Sequence, residues 1–149
     1  MKKLTRREMC AGLPALAAMT TIAQEQTASP DALTQARVYT MDQITARKMA
    51  NGGESRDVLR GVLPTGEIIN VHESEQPAGA TPNPAHAIEH TEVIVIIQGT
   101  VVFEHDGKSE KAGAGDILYV AKGTLHQLRN AGQDTAKYCV IQIGGDTRK

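Results

Sequence analysis

Residues 115–130 read GDILYVAKGTLHQLRN. Two short runs, DILYVA and HQLRN, flank a turn segment that holds Gly123. Runs of this length, rich in Ile and Val and bounded by Gly, Asn or Asp, are strand signals. One imidazole, His126, opens the second run.

The same pattern extends in both directions. DVLRGVL, EIINVHE, EVIVIIQ, TVVFEHD and KYCVIQIG are further runs of this kind, with Gly99, Gly113, Gly115 and Gly132 as punctuation. Asp106-Gly107 after TVVFEH predicts a tight hairpin. The alternation from Glu92 to Val102 predicts that every other side chain points inside. Residues 73–85, ESEQPAGATPNPA, carry three prolines and predict a loop or edge. Several short strands with regular turn signals predict an all-β sandwich or barrel from about residue 55 onward. Upstream, NGGES (51–55) predicts a turn, and Arg37 to Ala50 a short strand followed by a helical turn. Residues 24–36, QEQTASPDALTQA, read as a linker, so the expected division is 1–23, 24–54 and a domain over 55–146.

The first 23 residues, MKKLTRREMCAGLPALAAMTTIA, open with Lys2, Lys3, Arg6 and Arg7 and then run uncharged from Met9. The uncharged run is too short and too weakly apolar to span a membrane. Thr5-Arg6-Arg7 resembles the start of a twin-arginine export signal. Thr21-Ile22-Ala23 approaches an A-x-A cleavage point. The expectation is a signal peptide and a periplasmic or secreted protein. Cleavage would remove four of 16 basic residues and Glu8 of 17 acidic ones, leaving 12 against 16, or -4. It would also remove Cys10 and leave Cys139 without an internal disulfide partner.

Composition narrows the function. One Phe, three Tyr and no Trp leave little for a sugar- or base-stacking platform. A net charge of -1 gives no electrostatic footprint for nucleic acid. Residues 86–92, HAIEHTE, gather His86, Glu89, His90 and Glu92. Imidazole and carboxylate are the donors of divalent transition metals. Positions 86, 88, 90 and 92 share parity, so an extended chain would send all four to one face.

Two motifs now meet. Glu92 is followed by six residues and Gly99, and Gly115, Gly123, His126 and Asn130 recur at fixed spacing. These resemble the two motifs of the cupin family, G-x5-H-x-H-x(3 or 4)-E-x6-G and G-x5-P-x-G-x2-H-x3-N. The second is matched except for Ala121 at the usual proline; the first is matched at His86, Glu92 and Gly99. The resemblance implies an all-β jelly-roll barrel and a divalent metal (Fe, Mn, Zn, Ni or Cu) at its mouth. It implies His86, Glu92 and His126 as ligands, and Ile88 where a second His is usual. Two substitutes stay open. His90 replaces the missing imidazole, or the metal rests on His86, Glu92 and His126 alone, the donor types of non-haem Fe(II) oxygenases.

The function implied is a metal-dependent enzyme on a small polar or aromatic molecule, an oxygenase among the options. The alternative is a non-catalytic small-ligand or metal-binding protein with a degenerate site. Catalytic residues are not identified; His72 and Glu89 are the nearest candidates for proton transfer. Ile88, Val95 and Ile97 are expected to line an apolar pocket, and Arg60 and Arg129 are the cations available to an anionic substrate. His105 is expected to be exposed and Cys139 a buried small hydrophobe. The expected partner is a small molecule, with no nucleic acid and no stable membrane insertion. A homodimer through sheet edges is compatible with the resemblance.

Overall fold

Strands with one apolar face need a second layer to cover it. The computed structural model, which describes residues 32–145, shows how this chain supplies one. Nine strands follow in order: β1 (Arg47–Lys48), β2 (Glu54–Val62), β3 (Ile68–Gln76), β4 (Thr91–Gln98), β5 (Thr100–His105), β6 (Lys108–Gly113), β7 (Ile117–Val120), β8 (His126–Asn130) and β9 (Ala136–Ile143). They form a six-stranded sheet, β1-β2-β3-β9-β4-β7, and a three-stranded sheet, β6-β5-β8, with antiparallel pairing throughout. The all-β jelly-roll expectation holds, as two facing sheets that hydrogen bonds do not close into a full barrel. The expected signal peptide, residues 1–23, and most of the expected linker lie outside the described residues. No helix among the described residues is long and apolar enough to cross a membrane.

Alternation decides the core. Glu92, Ile94 and Ile96 of β4 face inward beside Tyr138, Val140 and Gln142 of β9, their registered partners. Val101 and Phe103 of β5 cover them from the other sheet. Each fully buried aliphatic or aromatic side chain contributes about 1.5–3 kcal/mol. The expected unbroken alternation to Val102 fails at Gly99. Its φ of 80° turns the chain between β4 and β5, so inward parity passes from even to odd and Val101, not Val102, is buried. Only glycine fits there, since a Cβ would stand 2.9 Å from Ala136 Cα. The Asp106-Gly107 hairpin forms as expected, with φ of 47° and 73°, the left-handed pair of a two-residue turn.

Three other expectations need correction. The 3-10 turn Met41–Gln43 precedes strand β1, reversing the expected strand-then-turn order. Strand β3 runs on to Gln76, because the segment's prolines begin only at Pro77. Strand β6, KSEKAG, carries no apolar run and is implied only by the hairpin signal before it; its side chains are mostly exposed at the sheet edge.

Candidate functional site

His86 closes the long loop after β3, and His126 begins β8. Their backbones exchange two hydrogen bonds of 3.0 Å, an isolated bridge that pins the loop across the mouth. Each ring places Nδ1 3.1 Å from a carbonyl two residues earlier, Pro84 O for His86 and Thr124 O for His126. A carbonyl only accepts, so both Nδ1 atoms carry a proton, which turns each Nε2 into the ring's remaining donor atom for a metal. The ring centroids are 4.7 Å apart. His86 is exposed and His126 buried; burial holds the His126 imidazole below its usual range and favours the neutral form.

Glu92, buried on β4, is the carboxylate of the group. Its Oε2 lies 3.7 Å from His126 Nε2. Its Oε1 accepts from His90 Nε2 at 2.8 Å and from Gln142 Nε2 at 3.0 Å. Gln142 is held in turn by Asn70, whose Nδ2 donates to Gln142 Oε1 at 2.7 Å. Three residues, His90, Gln142 and, through Gln142, Asn70, thus fix one carboxylate. Gln142 and Asn70 escaped the sequence reading. The signal was there, since a glutamine two residues after Val140 keeps the inward parity of KYCVIQIG.

Glu92, His86 and His126 line a cavity of about 320 Å³ between the sheets. His72 joins them, with burial holding its imidazole below the usual range. Tyr138 is also in the wall, and burial pushes its phenol up to about 12.

The remaining candidates are not among the residues that line the cavity. His90 is buried behind Glu92 and is not among the cavity-lining residues. Ile88 packs into the apolar core, also away from the cavity wall. Val95 and Ile97 lie on the outer face of β4, so they do not line the pocket; Ile94 does. Glu89 is exposed, 3.4 Å from Lys122, and does not reach the cavity. Arg60 lines a separate surface hollow with Arg37 and Tyr39, and Arg129 pairs with Glu104 at 3.2 Å. His105 is not free in solvent. It stacks on Phe103 and bonds Glu110 at 2.6 Å and Asp106 at 3.2 Å, which raise its pKa. Cys139 is half-buried on the outer face, its thiol pushed up by partial burial.

Among the described residues, no group of three His, Cys, Asp or Glu side chains is already drawn together as a metal cage. The donor chemistry of the mouth nonetheless suits an ion: two imidazole Nε2 atoms and one carboxylate oxygen. Two metal–ligand bonds of about 2.1 Å each can span the 3.7 Å between His126 Nε2 and Glu92 Oε2.

Comparison with known proteins follows from this geometry. The family profile for the Cupin domain matches residues 71–142. No curated protein sequence matches. An RmlC-like cupin from Shewanella frigidimarina is similar in structure, with TM-score 0.63 at 15% identity over 76% of this chain and 95% of that one. A predicted oxalate decarboxylase from Thermotoga maritima gives 0.59 at 20% over 72% and 98%. The polyketide cyclase RemF from Streptomyces resistomycificus gives 0.59 at 15% over 77% and 87%. At such identities the likeness speaks for the fold. Residues 71–142 thus match the Cupin domain, and the chain folds as these cupin structures do.

Proposed function

We propose that this cupin holds one divalent transition-metal ion at the cavity mouth through His86, Glu92 and His126, and binds a small molecule beside it. One observation carries the reading: both imidazoles give Nδ1 to a backbone carbonyl, and His126 Nε2 stands 3.7 Å from the buried Glu92 carboxylate in a cavity that His86 also lines. Fixing the far ring nitrogen is how proteins orient metal-ligating histidines. His90 acts with Gln142 as a holder of Glu92 Oε1, since its Nε2 is given to that oxygen. When bound, the ion supplies Lewis acidity to a ligand oxygen. Fe, Mn, Zn, Ni and Cu all suit these donors, and oxygen-dependent chemistry is the first activity to assay if the ion is iron. The similar structures bear unlike activities, a decarboxylase and a cyclase among them, so no reaction is carried over.

The test is elemental analysis of tag-free protein beside His126→Ala and His105→Ala. Near-stoichiometric metal in the parent and in His105→Ala, lost in His126→Ala, is the expected result. Equal retention in both variants overturns the site. A second reading, a small-molecule binder without metal, is favoured by Ile88, which packs in the core instead of presenting a ligand. Absence of metal after incubation with each ion would select it. We also propose export, on the basic and then uncharged run of residues 1–23. Cell fractionation and a mature N-terminus at Gln24 are expected; full-length protein confined to the cytoplasm overturns it.

A further inference from the structure

The inner end of the cavity is polar in a way the fold does not use. Tyr138, on β9, is 6% exposed, and its hydroxyl oxygen accepts from Gln76 Nε2 at 3.1 Å. Its own proton finds no acceptor among the described residues. Ser74 is its registered neighbour on β3 and also lines the cavity, as does His72 two residues before. Neither Ser74 Oγ nor the His72 ring has a hydrogen-bond partner among the described residues. A buried hydroxyl proton without an acceptor costs about 1–3 kcal/mol, and here it lies in the wall of a cavity that a second hydroxyl, Ser74, also lines.

Charge narrows what that site takes. Glu92 is the sole carboxylate in the cavity wall, and no Lys or Arg is among the lining residues. Arg47 is exposed, with Nη1 on Met49 Sδ at 3.1 Å. In the protein without an ion at the mouth, an anion carried to the inner end would lose water, meet no Lys or Arg in the wall and stand in the field of a carboxylate. A neutral hydroxyl or carbonyl oxygen loses little and accepts the waiting proton.

We infer that Tyr138, Ser74 and His72 form a subsite for a neutral oxygen function, the hydroxyl, carbonyl or amide oxygen of a small uncharged organic molecule. The proposal deepens the reading of the cavity as a ligand site and does not depend on the ion at its mouth. It excludes carboxylates and phosphate esters from the inner end, and so separates this chain's ligand from acid or phosphorylated substrates.

Isosteric pairs make the test sharp. Calorimetric titration of the full chain with benzamide and benzoate, and with glycerol and glycerol phosphate, should favour the neutral member of each pair at least tenfold. Tyr138→Phe should weaken benzamide about tenfold, the worth of one hydrogen bond, while leaving benzoate unchanged. Ser74→Ala should act in the same direction. Circular dichroism melts of both variants separate loss of recognition from loss of fold, with Ser74→Ala as the milder of the two. Tighter binding of the anions, binding indifferent to both variants, or no binding by any probe overturns the proposal. Running each titration on metal-free and metal-loaded protein keeps the two readings apart. Neutral selectivity without metal content would sink the metal centre and leave the subsite standing. Metal content with anion preference would do the reverse.

Discussion

Replacing Ile88 by histidine restores the ligand type usual at that position in the cupin pattern, and its cost can be worked out beforehand. Ile88 is 5% exposed within the apolar cluster, with its carbonyl held by Gly123 N at 2.9 Å. Losing the buried side chain costs about 2–3 kcal/mol. An imidazole left in that setting without a partner adds about 1–3 kcal/mol. Ile88→His without metal should therefore lose about 3–6 kcal/mol, a large share of the 5–15 kcal/mol typical of a domain. An ion that joins the new imidazole to His86 and His126 binds only the folded state. At a hundred times its dissociation constant it returns about 2.7 kcal/mol. Urea unfolding of parent, Ile88→His and Ile88→Ala, each with and without Zn(II) or Ni(II), measures both quantities. The alanine variant carries the core loss without the donor, so metal should stabilise Ile88→His by clearly more than Ile88→Ala. Parent-like stability of metal-free Ile88→His would refute the placement of Ile88 in the core. Equal metal effects in the two variants would show that position 88 cannot reach the donors at the mouth.

Three further outcomes are expected. Gly99→Ala should lose about 2–4 kcal/mol, because a left-handed φ of 80° is combined with a Cβ 2.9 Å from Ala136 Cα; Gly132→Ala, whose nearest contact would be 3.5 Å, should lose under about 1 kcal/mol in the same denaturation assay. Burial raises the Tyr138 phenol to about 12, so the folded state keeps a proton that the unfolded chain releases near 10. Stability should fall as pH rises from 10 to 12, and absorbance at 295 nm should show one late ionisation that Tyr138→Phe removes. His72 and His126 are both lowered by burial, so their contribution is present above about pH 6.5 and is lost as pH falls through their folded values. Urea midpoints at pH 5 to 8 should decline toward acid, less steeply in His72→Leu; a flat profile would count against the neutral imidazoles.

Much of the strand order could be read from apolar runs and glycines, because a buried sheet face leaves a period of two. β6 could not, since KSEKAG is an edge with almost nothing buried and hence no periodic imprint. Parity was also misread across Gly99, where one left-handed residue turned the chain and exchanged the roles of Val101 and Val102. Val95 and Ile97 are as apolar as Ile94 and Ile96, so composition alone could not say which pair faced the cavity. Anchoring the phase on Glu92, which is buried, assigns Ile94 and Ile96 inward at once.

The region around Ile88 marks where periodic reasoning stops. Applying strand parity to 86, 88, 90 and 92 required an extended chain, yet β4 begins only at Thr91, and Glu89 and His90 form a bend. Tertiary contacts then sort the four residues. His86 stays outside, held by its bridge to His126, while Ile88 goes to the core. His90 turns in behind Glu92, where one hydrogen bond satisfies its Nε2. A carboxylate as buried as Glu92 needs such donors whatever else it does, and His90 and Gln142 supply them at Oε1. What that leaves for a ligand is Oε2, on the side of His126. The residue of HAIEHTE that sequence offers as a spare imidazole thus supports Glu92 in the fold, while the folded chain brings His86 and His126 together across the mouth.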